Sequence, residues 1–186
     1  MRKSNKIEKI KFIFFSLLFL FTLTGCDTIK VLKEEEVIDG IKFKVEYEEY
    51  NNELFELNIP KENKFKYVTE ENFNDVFSNT NLIYLGRPND NLSRNIVNIL
   101  INNNFNITDI YYVNLDKINN ELNKDNYNYL YKYIENNNPA LLFIKEGKVI
   151  KYYELKENNE DFVDFSNDEE NLYIENINKF IDEITK

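Results

Sequence analysis

The chain has 186 residues, of which 42% are hydrophobic, and its formal net charge at pH 7 is -10. This length suits one domain plus a targeting segment. The negative charge repels phosphate backbones and gives no attraction to anionic lipid, so we expect no nucleic-acid partner. The chain has no His and a single Cys, so it lacks the commonest general base and metal ligand. We therefore expect no metal, no cofactor and no enzymatic activity.

The first 25 residues have the layout of a signal peptide. A basic start precedes an almost wholly apolar run over 12–23, which is too short for a comfortable membrane span. Residues 23–26 read Leu-Thr-Gly-Cys, which resembles the bacterial lipobox. The resemblance implies cleavage before Cys26, a diacylglyceryl group on its sulfur, and a place on the outer face of the bacterial cell membrane. An ordinary signal peptide or an uncleaved anchor is the alternative.

Residues 26–39 are charged and lack a clear period, which predicts a lipidated tether. In residues 40–63, the stretch 41–47 alternates apolar and charged side chains, as a half-buried strand does. Residues 54–59 form a second apolar stretch after a polar turn. We therefore predict a β-hairpin extension ahead of the main domain.

The main domain is predicted over residues 64–186. Apolar runs predict five strands, and helical spacing of apolar residues predicts a helix in each gap between the first four strands and another after the fifth. The five predicted strands cover 65–68, 82–85, 110–115, 140–144 and 149–155.

This order of elements predicts an α/β fold with a mixed central sheet covered by helices on both faces. Strands joined through helices should be parallel. The last two strands are separated by a Glu146-Gly147 turn, which predicts an antiparallel hairpin.

Three stretches of the main domain resemble one family. KYVTEENFNDVFSN (66–79) looks like the opening strand and helix of a thioredoxin domain. IYLGRPNDNLSRN (83–95) resembles the active-site entry of thioredoxin-like proteins of the bacteriocin transport accessory type. NPALLFIKEGK (138–148) resembles the cis-proline segment of the family and the hairpin after it. The resemblance implies a thioredoxin-like three-layer sandwich over residues 64–186.

The chain departs from this family at the two positions where the resemblance implies a Cys pair. Asp90 stands at the first position and Ser93 at the second, so neither can form a disulfide. The family chemistry depends on a thiol whose pKa is lowered at a helix N-terminus. We expect Asp90 to cap the helix instead and Ser93 to lie in its first turn, a vestige of a redox site.

Two further segments belong to the same predicted face. The resemblance implies that Pro139 follows a cis peptide bond, and that Asn138, Pro139, Arg87 and Pro88 form a peptide-binding surface. The alternative for Pro139 is a trans proline that ends a helix. For Arg87 and its neighbour Arg94 we expect surface salt bridges, although either could bind an anion.

These observations predict a lipid-anchored protein with a redox-inactive thioredoxin-like domain that binds a protein or peptide outside the cell. Two alternatives stay open. One is a lipoprotein that binds a small ligand, which needs a deep pocket. The other is an enzyme that uses carboxylates such as Asp90 in the same place.

Overall fold

The computed structural model describes residues 38–51, 56–117, 130, 133, 138–156 and 165–185. Residues 39–186 belong to one compact unit. Residues 1–38 make up another unit, in which only Ile38 is described. The predicted signal peptide, Cys26, almost all of the tether and most of the helix predicted between the third and fourth strands therefore lie outside the described residues.

The described part of the main unit is a mixed α/β structure, as predicted. Its five strands form one sheet in the order β1-β3-β2-β4-β5. Its elements in chain order are α1 (residues 38–48), β1 (Phe65–Tyr67), α2 (Phe73–Ser78), β2 (Asn81–Gly86), α3 (Asn91–Asn102), β3 (Ile110–Asn114), β4 (Ala140–Lys145), β5 (Lys148–Glu154) and α4 (Asn167–Ile184).

The first three strands are parallel, as predicted, and Gly86 at the end of β2 lies opposite Asn114 at the end of β3. The strand β4 is antiparallel to β2, so the expectation that every helix-linked strand is parallel was wrong for β4. Ala140, the first residue of β4, lies opposite Leu85 near the end of β2. The connection from β3 to β4 thus begins and ends at the same edge of the sheet, which reverses the direction of β4.

The predicted β4–β5 hairpin is confirmed. Its turn residues Glu146 and Gly147 both have positive φ, at 51° and 75°. Two positive φ values are typical of the primed turns that match the twist of a two-residue hairpin. Gly147 adopts such a φ without a steric penalty.

Apolar side chains pack against both faces of the sheet. Residues of α1, α3 and α4 form a buried cluster with one face, and residues of α2 form a second cluster with the other face, joined by Leu130. The helices α3 and α4 bury the apolar stripes that their spacing predicted, and a Ser166–Glu169 capping box starts α4.

The predicted β-hairpin extension was wrong. Residues 38–48 form α1, residues 56–59 are not in a strand, and residues 52–55 lie outside the described part. The alternation of apolar residues over 41–47 is also compatible with a helix whose two opposite sides are both apolar. Phe43 and Tyr47, one turn apart, are buried, whereas Ile41 and Val45 point outward. Packing against the sheet decides for the helix.

The inner side of α1 packs on aromatic rings of β1 and β3. The Phe43 ring stacks on Phe65 with 3.9 Å between centroids and meets the Tyr112 ring edge-on at 5.0 Å. Tyr47 meets Tyr112 at 5.5 Å. Aromatic pairs at these separations stabilise a core beyond the area they bury. α1 is therefore a part of the core.

Three tyrosine hydroxyls are enclosed in this region. Tyr47, Tyr84 and Tyr112 are fully buried, and burial is the main cause that raises the pKa of each of them. The Tyr84 hydroxyl donates to a backbone carbonyl. The hydroxyls of Tyr47 and Tyr112 lack a partner of adequate hydrogen-bond geometry among the described residues.

These tyrosines predict a loss of stability at alkaline pH. The unfolded chain releases the three phenol protons near pH 10, whereas the folded chain retains them because each folded pKa is raised. Their stabilisation is complete below pH 10 and is lost above it. The free energy of unfolding should then fall by about 4 kcal/mol in total between pH 9 and 11 from these three groups, most of it above pH 10. Urea denaturation across this range measures the loss.

Tyr112→Phe is the matched control, because it removes one phenol and keeps the ring. We expect the slope above pH 10 to fall by about one third, with stability at pH 7 unchanged or slightly higher because a buried hydroxyl without a partner is costly. An unchanged slope would show that Tyr112 ionises equally in both states.

Candidate functional site

The predicted site residues meet at one edge of the sheet, which we call the carboxyl edge. β2 and β3 end there, and β4 begins there with Ala140 opposite Leu85. The Arg87–Asp90 loop directly follows β2, and Asn138–Pro139 directly precedes β4. Segments about 50 residues apart in the sequence are thereby brought to one edge, as the sequence predicted.

Asp90 caps α3, as predicted. Its carboxylate accepts a hydrogen bond from the Ser93 backbone N–H at 2.7 Å. This satisfies one of the orphan donors of the first turn. The N-terminal end of α3 thus carries a partly exposed carboxylate.

Ser93 is buried in the first turn of α3. Its hydroxyl accepts a hydrogen bond from the Arg87 N–H at 3.1 Å, and its carbonyl accepts one from the Tyr84 hydroxyl at 3.0 Å. The side chain therefore holds the loop against the helix and does not face solvent. The chain has no His that could activate it.

Gly86 is required by the ring beneath it. A Cβ at this position would lie 2.7 Å from ring atoms of Tyr84, and Tyr84 is fully buried. The backbone at residue 86 can lie this close to the buried ring because it has no side chain. This explains the glycine of the Gly-Arg-Pro turn.

Pro139 does not follow a cis peptide bond. All peptide bonds between described residues are trans, including the one between Asn138 and Pro139, so the cis prediction was wrong. The trans form is intrinsically preferred by about 0.5–1 kcal/mol. The cis prediction came only from the resemblance of short sequence stretches, which does not determine the isomer. The Pro139 carbonyl accepts a hydrogen bond from Leu155 at 2.9 Å, which extends the β4–β5 pairing.

The predicted peptide-binding surface is only partly accessible. Pro88 and Pro139 are buried, and the Asn138 side chain donates to the Glu154 carboxylate at 2.9 Å. Arg87 pairs at the surface with Asp116, at 2.9 Å from Nε to Oδ1, as expected. Among the described residues, the accessible polar groups of the carboxyl edge include those of Arg87, Asn89, Asp90, Asp116, Lys117 and Asn138.

Arg94 is not a surface residue, contrary to prediction. It is 1% exposed, and its Nη1 donates to the carbonyls of Tyr47 at 2.6 Å and Pro88 at 3.1 Å. Its Nη2 donates to the Asn51 side chain. Burial lowers the pKa of the guanidinium. Arg94 thus joins the end of α1 to the loop after β2.

Glu46 makes a second connection from α1 to the carboxyl edge. Its carboxylate accepts hydrogen bonds from the Tyr67 hydroxyl and from Asn114 Nδ2 at 2.8 Å, and it pairs with Lys117 at 2.9 Å. A strand over 41–47 would place Glu46 on its solvent face, so sequence reasoning did not identify this residue. It also did not predict that Arg94 is buried.

The arrangement at the carboxyl edge suits non-covalent contact. Its accessible groups include carboxylates, a guanidinium, an ammonium and amides, which can donate or accept hydrogen bonds in several directions. Among the described residues no cluster of acidic side chains has the arrangement of a metal site. The edge therefore presents a polar surface of mixed charge.

A separate cavity of about 770 Å³ lies at the opposite edge of the sheet. Its wall combines apolar side chains such as Phe143 with amides, hydroxyls and two charged residues, Lys64 and Asp109. The Lys64 ammonium donates to the Phe105 carbonyl, and Asp109 pairs with Lys66. None of the predicted site residues lines this cavity.

No family model, curated protein or solved structure matches this chain. Within the described ranges, no helix is both long enough and apolar enough to cross a bilayer.

Arg94 predicts a large loss of stability on substitution. Arg94→Met keeps much of the side-chain volume but leaves the Tyr47 and Pro88 carbonyls without their buried donor. Each such loss costs about 1–3 kcal/mol, so we expect a total loss of roughly 3 kcal/mol. Arg87→Met is the matched control, because a surface pair contributes at most about 1 kcal/mol. Urea denaturation at pH 7 measures both, and equal losses would contradict this account.

Proposed function

We propose that the protein is a lipoprotein on the outer face of the bacterial cell membrane, with a redox-inactive thioredoxin-like domain that binds a protein or peptide partner. Its anchor is a lipid on Cys26. Its contact surface is the carboxyl edge, centred on Arg87, Asp90 and Asn138. The protein acts as an accessory factor and not as an enzyme.

The proposal rests mainly on one observation: the Arg87–Asp90 loop and Asn138–Pro139 lie together at the carboxyl edge. The sheet combines three parallel strands with an antiparallel hairpin and is covered on both faces, as the family resemblance implies. Asp90 occupies the N-cap of α3, and Ser93 occupies its third residue. This is the spacing that a Cys-x-x-Cys pair has at a helix start.

The chemistry of the edge supports binding in place of catalysis. Ser93 is committed to structural hydrogen bonds, and Asp90 is committed to the helix cap. The groups left accessible are mixed in charge, which favours specificity for a complementary partner over strong general attraction. Since Pro88 and Pro139 are buried, the proposed partner contacts the polar side chains and not the proline rings.

Small-ligand binding is a second candidate, favoured by the cavity at the opposite edge. Its volume, about 770 Å³, falls within the usual range of small-molecule sites. Native mass spectrometry of the protein purified from its own membrane decides this: a bound small molecule supports this candidate, and bare protein contradicts it.

Restoring the Cys pair tests whether a redox frame is preserved. In the double variant Asp90→Cys, Ser93→Cys, we expect mild oxidation to form an internal disulfide, with the mass falling by two hydrogen atoms as the oxidant takes up two electrons. The helix N-terminus should lower the pKa of the first thiol to below about 7.5. Mass spectrometry and thiolate absorbance measure these. The control Asn89→Cys, Leu92→Cys keeps the same spacing but moves the pair by one residue, and we expect no such pKa change.

Site-specific photo-crosslinking in intact cells tests the contact surface. We expect a photoreactive residue at Asn89 or at Asn138 to give the same adduct, and one at exposed Thr108, at the opposite edge, to give none. Arg87→Glu should weaken the adduct because it reverses a charge at the centre of the surface. Absence of an adduct at both edge positions, or an equal adduct from Thr108, would refute the assignment of this surface.

A further inference from the structure

The outer face of α1 carries exposed apolar side chains. Ile41 and Val45 are four residues apart, so they lie on one face of the helix, and they are 37% and 61% exposed. Phe43 and Tyr47 on the other face are fully buried. Exposed apolar side chains that lie together on one helix face, flanked by charged residues, form a patch of the kind that contact sites use. The outer side of α1 therefore has the character of a contact surface.

The place of α1 in the sequence indicates what this face contacts. Ile41 follows Cys26 by 15 residues, and a chain of this length spans at most about 50 Å when fully extended. A lipid on Cys26 would thus keep the face close to a bilayer at a high effective concentration. Exposed Ile38 lies three residues before Ile41, toward the tether.

The charges of α1 favour an apolar contact over an electrostatic one. Lys44 is paired with Glu48, and exposed Lys42 and Glu49 have opposite signs. The chain as a whole carries a net charge of -10, which gives no attraction to anionic lipid. Two or three side chains are also too small a patch for a stable dimer, which buries about 1,200 Å² or more.

From these observations we infer that the Ile41–Val45 face of α1 rests on the lipid surface of the membrane that holds the chain. The inference rests on the lipid anchor of the proposed function. The side chains enter the boundary between headgroups and acyl chains, as those of interfacial helices do. Because α1 is tied to the core through Phe43 and Tyr47, this contact fixes the orientation of the whole domain on the membrane.

A fluorescent label at Val45 tests the inference. The only natural Cys is Cys26, so in the lipidated full chain a Val45→Cys variant takes a thiol-reactive nitrobenzoxadiazole label at one position. The matched control is Leu172→Cys on α4, since Leu172 is 48% exposed. Both proteins are placed in phosphatidylcholine vesicles, and emission is compared with that in detergent-free buffer after enzymatic release from the tether.

We expect the emission of the label at position 45 to rise about twofold on vesicles because the label leaves water, and nitroxide-bearing lipids to quench it. The label at position 172 should change in neither way. A silent label at position 45, or equal changes at both positions, would overturn the inference. A rise at position 45 that appears without vesicles on concentrating the protein would assign the face to a second copy and would also overturn it.

The mass of the purified protein separates this inference from the proposed function. A chain without lipid on Cys26 contradicts the anchor and, with it, the membrane contact. If the lipidated chain gives the carboxyl-edge adduct but the emission of the label at position 45 does not change on vesicles, only the membrane contact is contradicted.

Discussion

The buried guanidinium of Arg94 connects α1, α3 and the loop that follows β2. Arg94 lies in the first turn of α3 and binds the carbonyl of Tyr47 at the end of α1 and the carbonyl of Pro88 in the loop after β2. A guanidinium holds several acceptors at defined angles, so α3, the loop after β2 and α1 keep one arrangement. Removing a buried charge from water is costly and is tolerated only when such acceptors replace the water. The position of the Arg87–Asp90 loop depends on this arrangement.

In the proposed function, the same region is the frame of a redox site that has lost its chemistry. Asp90 supplies the cap that the start of α3 needs, and Ser93 supplies an acceptor for the loop N–H. Both are local structural roles that small polar side chains fill well. In the proposed function, the carboxyl edge keeps its shape because these bonds replace the Cys pair, while its accessible groups serve contact alone.

The segment before the sheet has two roles in this picture. Its inner side completes the core through Phe43 and Tyr47, and Glu46 secures it to β1 and to the end of β3. Its outer side remains apolar and exposed. α1 is therefore tied to the domain on its inner side and is open to contact on its outer side.

The sequence by itself determined the strands, the helices from α2 onward, the parallel pairing of β1 to β3, the β4–β5 hairpin and the capping role of Asp90. These follow from runs and periods that span few residues, or from one side chain beside its own backbone. It could not determine α1, because apolar alternation over 41–47 fits a strand as well as a helix with two apolar sides. Nor could it determine the direction of β4, the trans bond before Pro139, or the burial of Arg94 and Ser93. Those depend on which segments lie against each other: α1 on Phe65 and Tyr112, β4 beside β2, and the loop after β2 on α3.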